Sequence, residues 1–185
     1  MELVLASQDA PATATERQLA ASPASPPVVG FADCYAQEMP RLVWFVLSLG
    51  ASADAAADAA QSAFSDAFPV WDTIRYPQAW LRRVAQRAYY RRAAAREILV
   101  DSVPERPARV ATADVVERHT EARAVLAALA ALPAKQRQVM AWSIDGYSPA
   151  EIAAELSADP AAVRQNLTKA RRNLQQLLGI TRSAR

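Results

Sequence analysis

The C-terminal end of the chain holds residue types that could do chemistry together. Residues 161–185 carry six bases and no acid. Arg164, Gln165, Asn166, Thr168, Lys169, Arg171 and Arg172 crowd one stretch. Arg can pair two-pronged with guanine edges, Gln and Asn with adenine, and basic side chains with phosphate. A plain helical hairpin with a solvated face would normally mix both signs of charge. A face of bases alone suits a polyanion. A second set lies upstream, where Trp71, Tyr76, Trp80, Tyr89 and Tyr90 alternate with Arg75, Arg82, Arg83, Arg87, Arg91 and Arg92. Aromatic faces among arginines suit unstacked bases of single-stranded DNA. The bland alternative makes Trp80 core and the tyrosines half-buried. We expect Trp80 in the core and Arg82, Arg83, Arg87 and Arg91 on the surface.

These residues need helices to hold them. Val163, Leu167, Ala170, Leu174 and Leu177 recur at 4-3-4-3 spacing, an apolar stripe behind the basic face. Asp159 caps that helix and Pro160 takes its first position. Just before it, SPAEIAAEL (148–156) opens with Ser148 as N-cap, Pro149 at N1 and Glu151 at N3, a capping box. Two helices across the short turn SAD (157–159), the second one basic, fit a DNA-reading helix-turn-helix. Upstream, Leu42, Phe45, Val46 and Leu49 form one stripe ended by Gly50. A second helix runs from about Ser52 to Phe68, capped by Ser52 or Asp54, and PVWDTIRYP (69–77) reads as a loop. A third starts at Pro77 and runs to about Ile98, with Trp80, Leu81, Val84 and Ala88 on one face. Val125, Leu126, Leu129 and Leu132 form a further stripe, and Pro133 starts the next helix.

The expected fold class is therefore all-α: two small helical domains, each with a modest core, joined by a flexible linker. Residues 1–29, rich in Ala, Ser, Pro and Thr, read as a disordered tail. The first domain spans 30–98, the linker 99–118 with helix resuming near Asp114, the second domain 119–180 and a short tail 181–185. Alanine makes up roughly a quarter of the 185 residues and Gly is scarce, which also says helix. The excess of Arg over Lys fits GC-rich coding as readily as phosphate binding.

One Cys and one His exclude a disulfide scaffold and a Cys/His zinc site. No metal or cofactor is expected. No apolar run is long enough to span a bilayer, and no basic leader opens the chain, so a cytoplasmic location and no membrane insertion are expected. The net charge of +2 conceals a layout. Residues 30–72 sum to −5, 73–110 to +6, 111–160 to −3 and 161–185 to +6. Basic segments suit DNA, and the acidic ones a basic protein partner.

At this point the chain resembles the bacterial sigma factors of the extracytoplasmic-function (ECF) group. The resemblance covers residues 30–98 and 119–179. DAAADAAQSAF (54–64) is similar to the family segment that docks on the clamp helices of the largest RNA polymerase subunit. By that resemblance Asp54, Asp58, Gln61 and Phe64 are polymerase-facing, with Ser62 standing where an acid is usual. PQAWLRRVAQRAYYRR (77–92) resembles the segment that melts and reads the promoter −10 element. This implies −10 contacts for Arg82, Arg83, Gln86, Arg87, Tyr90 and Arg91, with Arg87 and Arg91 departing from the usual Asn and Asp. The loop 69–77 matches the one that captures a flipped base, a role open to Trp71, Arg75 or Tyr76. Residues 126–174 resemble the −35-reading domain, with Arg164, Gln165, Asn166 and Lys169 on its major-groove face. Ser157 replaces the more usual turn Gly.

The resemblance implies a non-enzymatic initiation subunit whose partners are core polymerase, promoter DNA and an anti-sigma factor. Three rivals stand beside it: a two-domain regulator that binds DNA without polymerase, a small helical enzyme, and an anti-sigma or adaptor protein. No Gly-rich phosphate loop or nucleophile–base pair supports the enzyme; only Cys34 and His119 brought together in a cleft would revive it. Cys34 is expected to be a small, half-buried packing residue.

Overall fold

Helix-forming composition and well-placed caps give seven α-helices in the computed structural model, which describes residues 30–99 and 120–179. Among the described residues there is no strand. The expected tails, the interior of the linker, the helix start near Asp114 and His119 lie outside them.

Helix α1 (Phe31–Ser48) begins well before the apolar stripe and runs through Pro40. Pro40 lies on the exposed side, where water can serve the carbonyl one turn back. Leu42, Phe45, Val46 and Leu49 are buried as the stripe requires, and Gly50 turns the chain at φ +93°. Helix α2 (Ala53–Ala67) is capped by Ser52, whose hydroxyl accepts from the Ala55 N–H at 3.3 Å. Its buried face is mostly alanine: Ala56, Ala59, Ala60, Ala63 and Ala67. These small side chains let α1 and α3 approach closely. A 3₁₀ turn over Phe68–Thr73 follows, then α3 (Pro77–Leu99).

In the second module, α4 (Thr120–Ala130) and α5 (Ala134–Ile144) lead into the hairpin α6 (Pro149–Glu155) and α7 (Pro160–Leu177). Ser148 and Glu151 form the reciprocal capping box, and the Asp159 carboxylate accepts from the Ala162 N–H at 2.9 Å. The turn between α6 and α7 uses Ser157 at φ +49°, a left-handed conformation that favours glycine.

The two modules do not stand apart. A continuous core joins Leu42, Phe45 and Val46 of the first to Val139, Trp142 and Ile152 of the second. Helix α1 packs directly on α4 and α5. The sequence led us to expect separate cores. A separate small cluster does exist in the second module, built on Leu129, Leu132 and Ala170.

Candidate nucleic-acid interface

Helix α7 divides cleanly. Val163, Leu167 and Ala170 are buried, with Leu174 half-buried beside them. Arg164, Gln165, Thr168, Lys169, Arg171 and Arg172 are exposed, and Asn166 is half-exposed. The Asn166 amide donates to the Ala162 carbonyl at 3.0 Å and the Thr168 hydroxyl to that of Arg164 at 3.0 Å. Both bonds lie along the helix surface and hold these side chains in place beside the arginines. Asn173 donates to Gln136 at 2.8 Å, fixing α7 against α5. The helix thus presents a fixed row of donors and cations, spaced by its own pitch, on the side away from the core.

The arginine-rich helix α3 behaves differently from the expectation. Leu81, Ala85 and Ala88 are buried against the first module's core, and Trp80, expected there, is only half-buried. Arg83, Arg87, Arg91 and Arg92 are exposed, and Tyr89 and Tyr90 are half-buried. Arg82 and Gln86 require a correction, because both are buried against the second module. The Arg82 guanidinium pairs with the Asp145 carboxylate through two N–H donors, bonds Glu38 at 3.0 Å and donates to the Gln78 carbonyl at 3.1 Å. Gln86 accepts from the Trp142 indole N–H at 2.9 Å. Arg82 and Gln86 stand one turn apart on a face of α3 that a second module, not solvent, covers. The exposed Arg83 reaches Glu155 of α6 at 3.6 Å.

Charge and burial act on this cluster together. Burial disfavours the Arg82 cation, but the hydrogen bond and charge of Asp145, with Glu38 beyond, outweigh it and raise its pKa. Burial likewise raises the Asp145 carboxyl against the opposing pull of Arg82. Tyr147 is pushed up by burial despite Arg82 nearby, so its phenol is neutral. Burial also raises Tyr90, in spite of Arg137. Sequence reasoning passed over Glu38, Trp142 and Asp145. The one available signal was Glu38, an acid four residues ahead of the apolar stripe in a segment that otherwise packs.

The 3₁₀ turn sits on a nest of rings that sequence reasoning also missed. Phe31 meets Phe64, Phe68 and Trp71 edge-on at 5.9, 5.1 and 5.0 Å. Trp71 is half-buried in this nest, whereas Arg75 and Tyr76 are exposed, the guanidinium lying 5.6 Å from the Tyr76 ring. On α2, Asp58 and Gln61 are exposed and Asp54 is half-buried. Asp58 lies 3.8 Å from Arg92. Phe64, expected to face polymerase, is instead 3% exposed and belongs to the core. Its helical position, one turn from Phe68, puts it on the alanine face that packs.

Cys34 is more deeply buried than expected, at 1% exposure. Burial, then the Glu38 charge, pushes its thiol up to about 11. Among the described residues no cluster of His, Cys, Asp or Glu could hold a metal. No described helix is long and apolar enough to cross a membrane.

Residues 122–174 match the family described as Sigma-70, region 4. No curated protein sequence matches the chain. Two solved structures are similar along its length. One is the sigma factor RpoE in complex with the anti-sigma factor NepR, from Bartonella quintana. Its TM-score is 0.65 at 24% identity, over 82% of this chain and 98% of that one. The other is CnrH in complex with the cytosolic domain of CnrY, at 0.57 and 25%, over 82% of this chain and 89% of that one. The basic hairpin thus lies in a segment that matches Sigma-70 region 4, and the helical fold as a whole is similar to that of RpoE and of CnrH.

Proposed function

We propose that this chain is a dissociable subunit that binds core RNA polymerase and directs it to promoters. Helix α7 reads the −35 duplex in the major groove with Arg164, Gln165, Asn166 and Lys169. Thr168, Arg171 and Arg172 hold the flanking phosphates. Helix α3 and the 3₁₀ turn take the melted −10 strand. Arg83, Arg87 and Arg91 supply charge, Arg75 and Tyr76 a stacking surface, and base capture supplies the energy of opening. Helix α2 offers Asp58 and Gln61 to the polymerase clamp helices. An anti-sigma factor, the kind of partner named for RpoE, is the expected regulator.

The observation that carries this reading is the division of α7 into a buried apolar side and an exposed, acid-free side. The test is run-off transcription with purified core polymerase on promoters selected from a genomic library. A promoter-specific transcript is expected. DNA binding without a transcript would instead identify a regulator that works without polymerase. Asp58→Arg should impair core-polymerase binding and leave −35 duplex binding intact. Loss of both would mean that the fold had failed.

A further inference from the structure

We propose that the second module masks the −10-reading face of the first, with Asp145 and Glu155 standing where promoter phosphates would bind. The inference rests on the −10 reading of α3 and goes further by naming what occupies that face when DNA is absent. Arg82 has two carboxylate partners of different kinds. Glu38 comes from α1 of its own module and is 2% exposed, so it stays with Arg82 whatever the second module does. Asp145 comes from the end of α5 and can leave. Glu38 is also held by Arg41 at 3.2 Å and by the Gln78 amide at 3.0 Å, so this side of the cluster is complete within the first module. What can change is the second anion. Departure of the second module frees the Asp145 side of a guanidinium that is already aimed outward from its own module.

Two neighbouring contacts repeat the pattern: Glu155 faces Arg83 at 3.6 Å, and the Trp142 indole N–H donates to Gln86 at 2.9 Å. Residues 82, 83 and 86 lie on neighbouring turns of α3, in the segment whose sequence suggested −10 contacts. Each meets an acid or an indole from the second module. Arg87 and Arg91, by contrast, remain exposed on the same helix. Closure therefore covers part of the face and leaves a basic edge at which a DNA strand can first land.

The test uses the full chain with Arg83→Cys and Glu155→Cys. The protected Cys34 thiol is spared. One sample is joined by a short bismaleimide and the other capped at both thiols with N-ethylmaleimide, so both lack Arg83. Binding of a fluorescein-labelled, mixed-sequence single-stranded 20-mer is followed by anisotropy. The joined protein should bind about tenfold or more weakly, since apparent affinity scales with the open fraction. Glu155→Arg in the native chain should bind the same strand several-fold more tightly, because it removes the masking acid without touching the buried cluster. Equal binding by joined and capped protein, or no gain from Glu155→Arg, overturns the mask. Arg87→Ala with Arg91→Ala separates the two readings. If that pair weakens binding while joining does nothing, the face binds DNA unmasked. If the pair has no effect, the −10 reading itself falls and the mask falls with it.

Discussion

Single residues set local conformations at two points where a substitution has a clear sign. Ser157 holds φ +49° in the turn between α6 and α7. A β-carbon there meets the following carbonyl, at a cost of about 1 kcal/mol, which glycine does not incur. Ser157→Gly should raise stability by about 0.5–1 kcal/mol in urea unfolding, and a loss would show that the serine hydroxyl matters more than the backbone. Cys34 is the second point. Its thiol ionises near pH 11 when folded, against 9.0 ordinarily. The unfolded chain thus releases a proton between these values that the folded chain retains. Stability should fall as pH rises from 9 towards 11, and the loss should be smaller in Cys34→Ala, the remainder belonging to the buried phenols of Tyr90 and Tyr147, which are also raised. Below pH 9 the native protein should resist thiol reagents that label it fully in denaturant, a contrast that fast native labelling would contradict.

At the scale of elements, the caps and stripes explain why the helix-turn-helix was legible. Ser148, Glu151 and Asp159 act locally, within three residues of their partners, so spacing alone revealed them. The same holds for Leu42, Phe45, Val46 and Leu49, whose periodicity marks one buried face. Helix α3 was read less well because it is buried on two sides. The stripe Leu81, Ala85, Ala88 marks one side, but Arg82 and Gln86 are polar residues whose partners lie 63 and 56 positions away. No local pattern announces a buried polar residue whose partner is distant. Phe64 departs from expectation for a related reason: the acids of α2 mark its exposed side, and its alanines mark the packed side to which Phe64 belongs. Lys169→Ala should weaken duplex binding evenly across sequences and reduce its salt dependence by about one counterion. Arg164→Ala should cost about 1–3 kcal/mol and relax selectivity at one base pair. Unchanged binding and promoter choice in both variants would remove α7 as the reading helix.

At the scale of the whole molecule, the shared core couples the two modules as long as they are closed on each other. Trp142 is its centre: 0% exposed, edge-on to Phe45 of the first module at 5.3 Å and to Tyr147 of its own at 4.8 Å. The Arg137 guanidinium adds a second seam. It donates to the Ala130 carbonyl at 2.7 Å and lies so close to Gly50 that a β-carbon there would come within 3.1 Å of it. The two modules should therefore melt in a single transition by calorimetry, with equal calorimetric and van't Hoff enthalpies. Trp142→Ala removes the ring and leaves the buried Gln86 carbonyl oxygen without its donor. It should cost about 3–5 kcal/mol and split the transition into two. Trp142→Phe keeps most of the ring contact and loses only the N–H. It should cost about 1–3 kcal/mol, the penalty of one unsatisfied buried acceptor, and keep a single transition. Two transitions in the native chain would mean that the modules fold apart, and that the interface around Trp142 contributes too little to couple them.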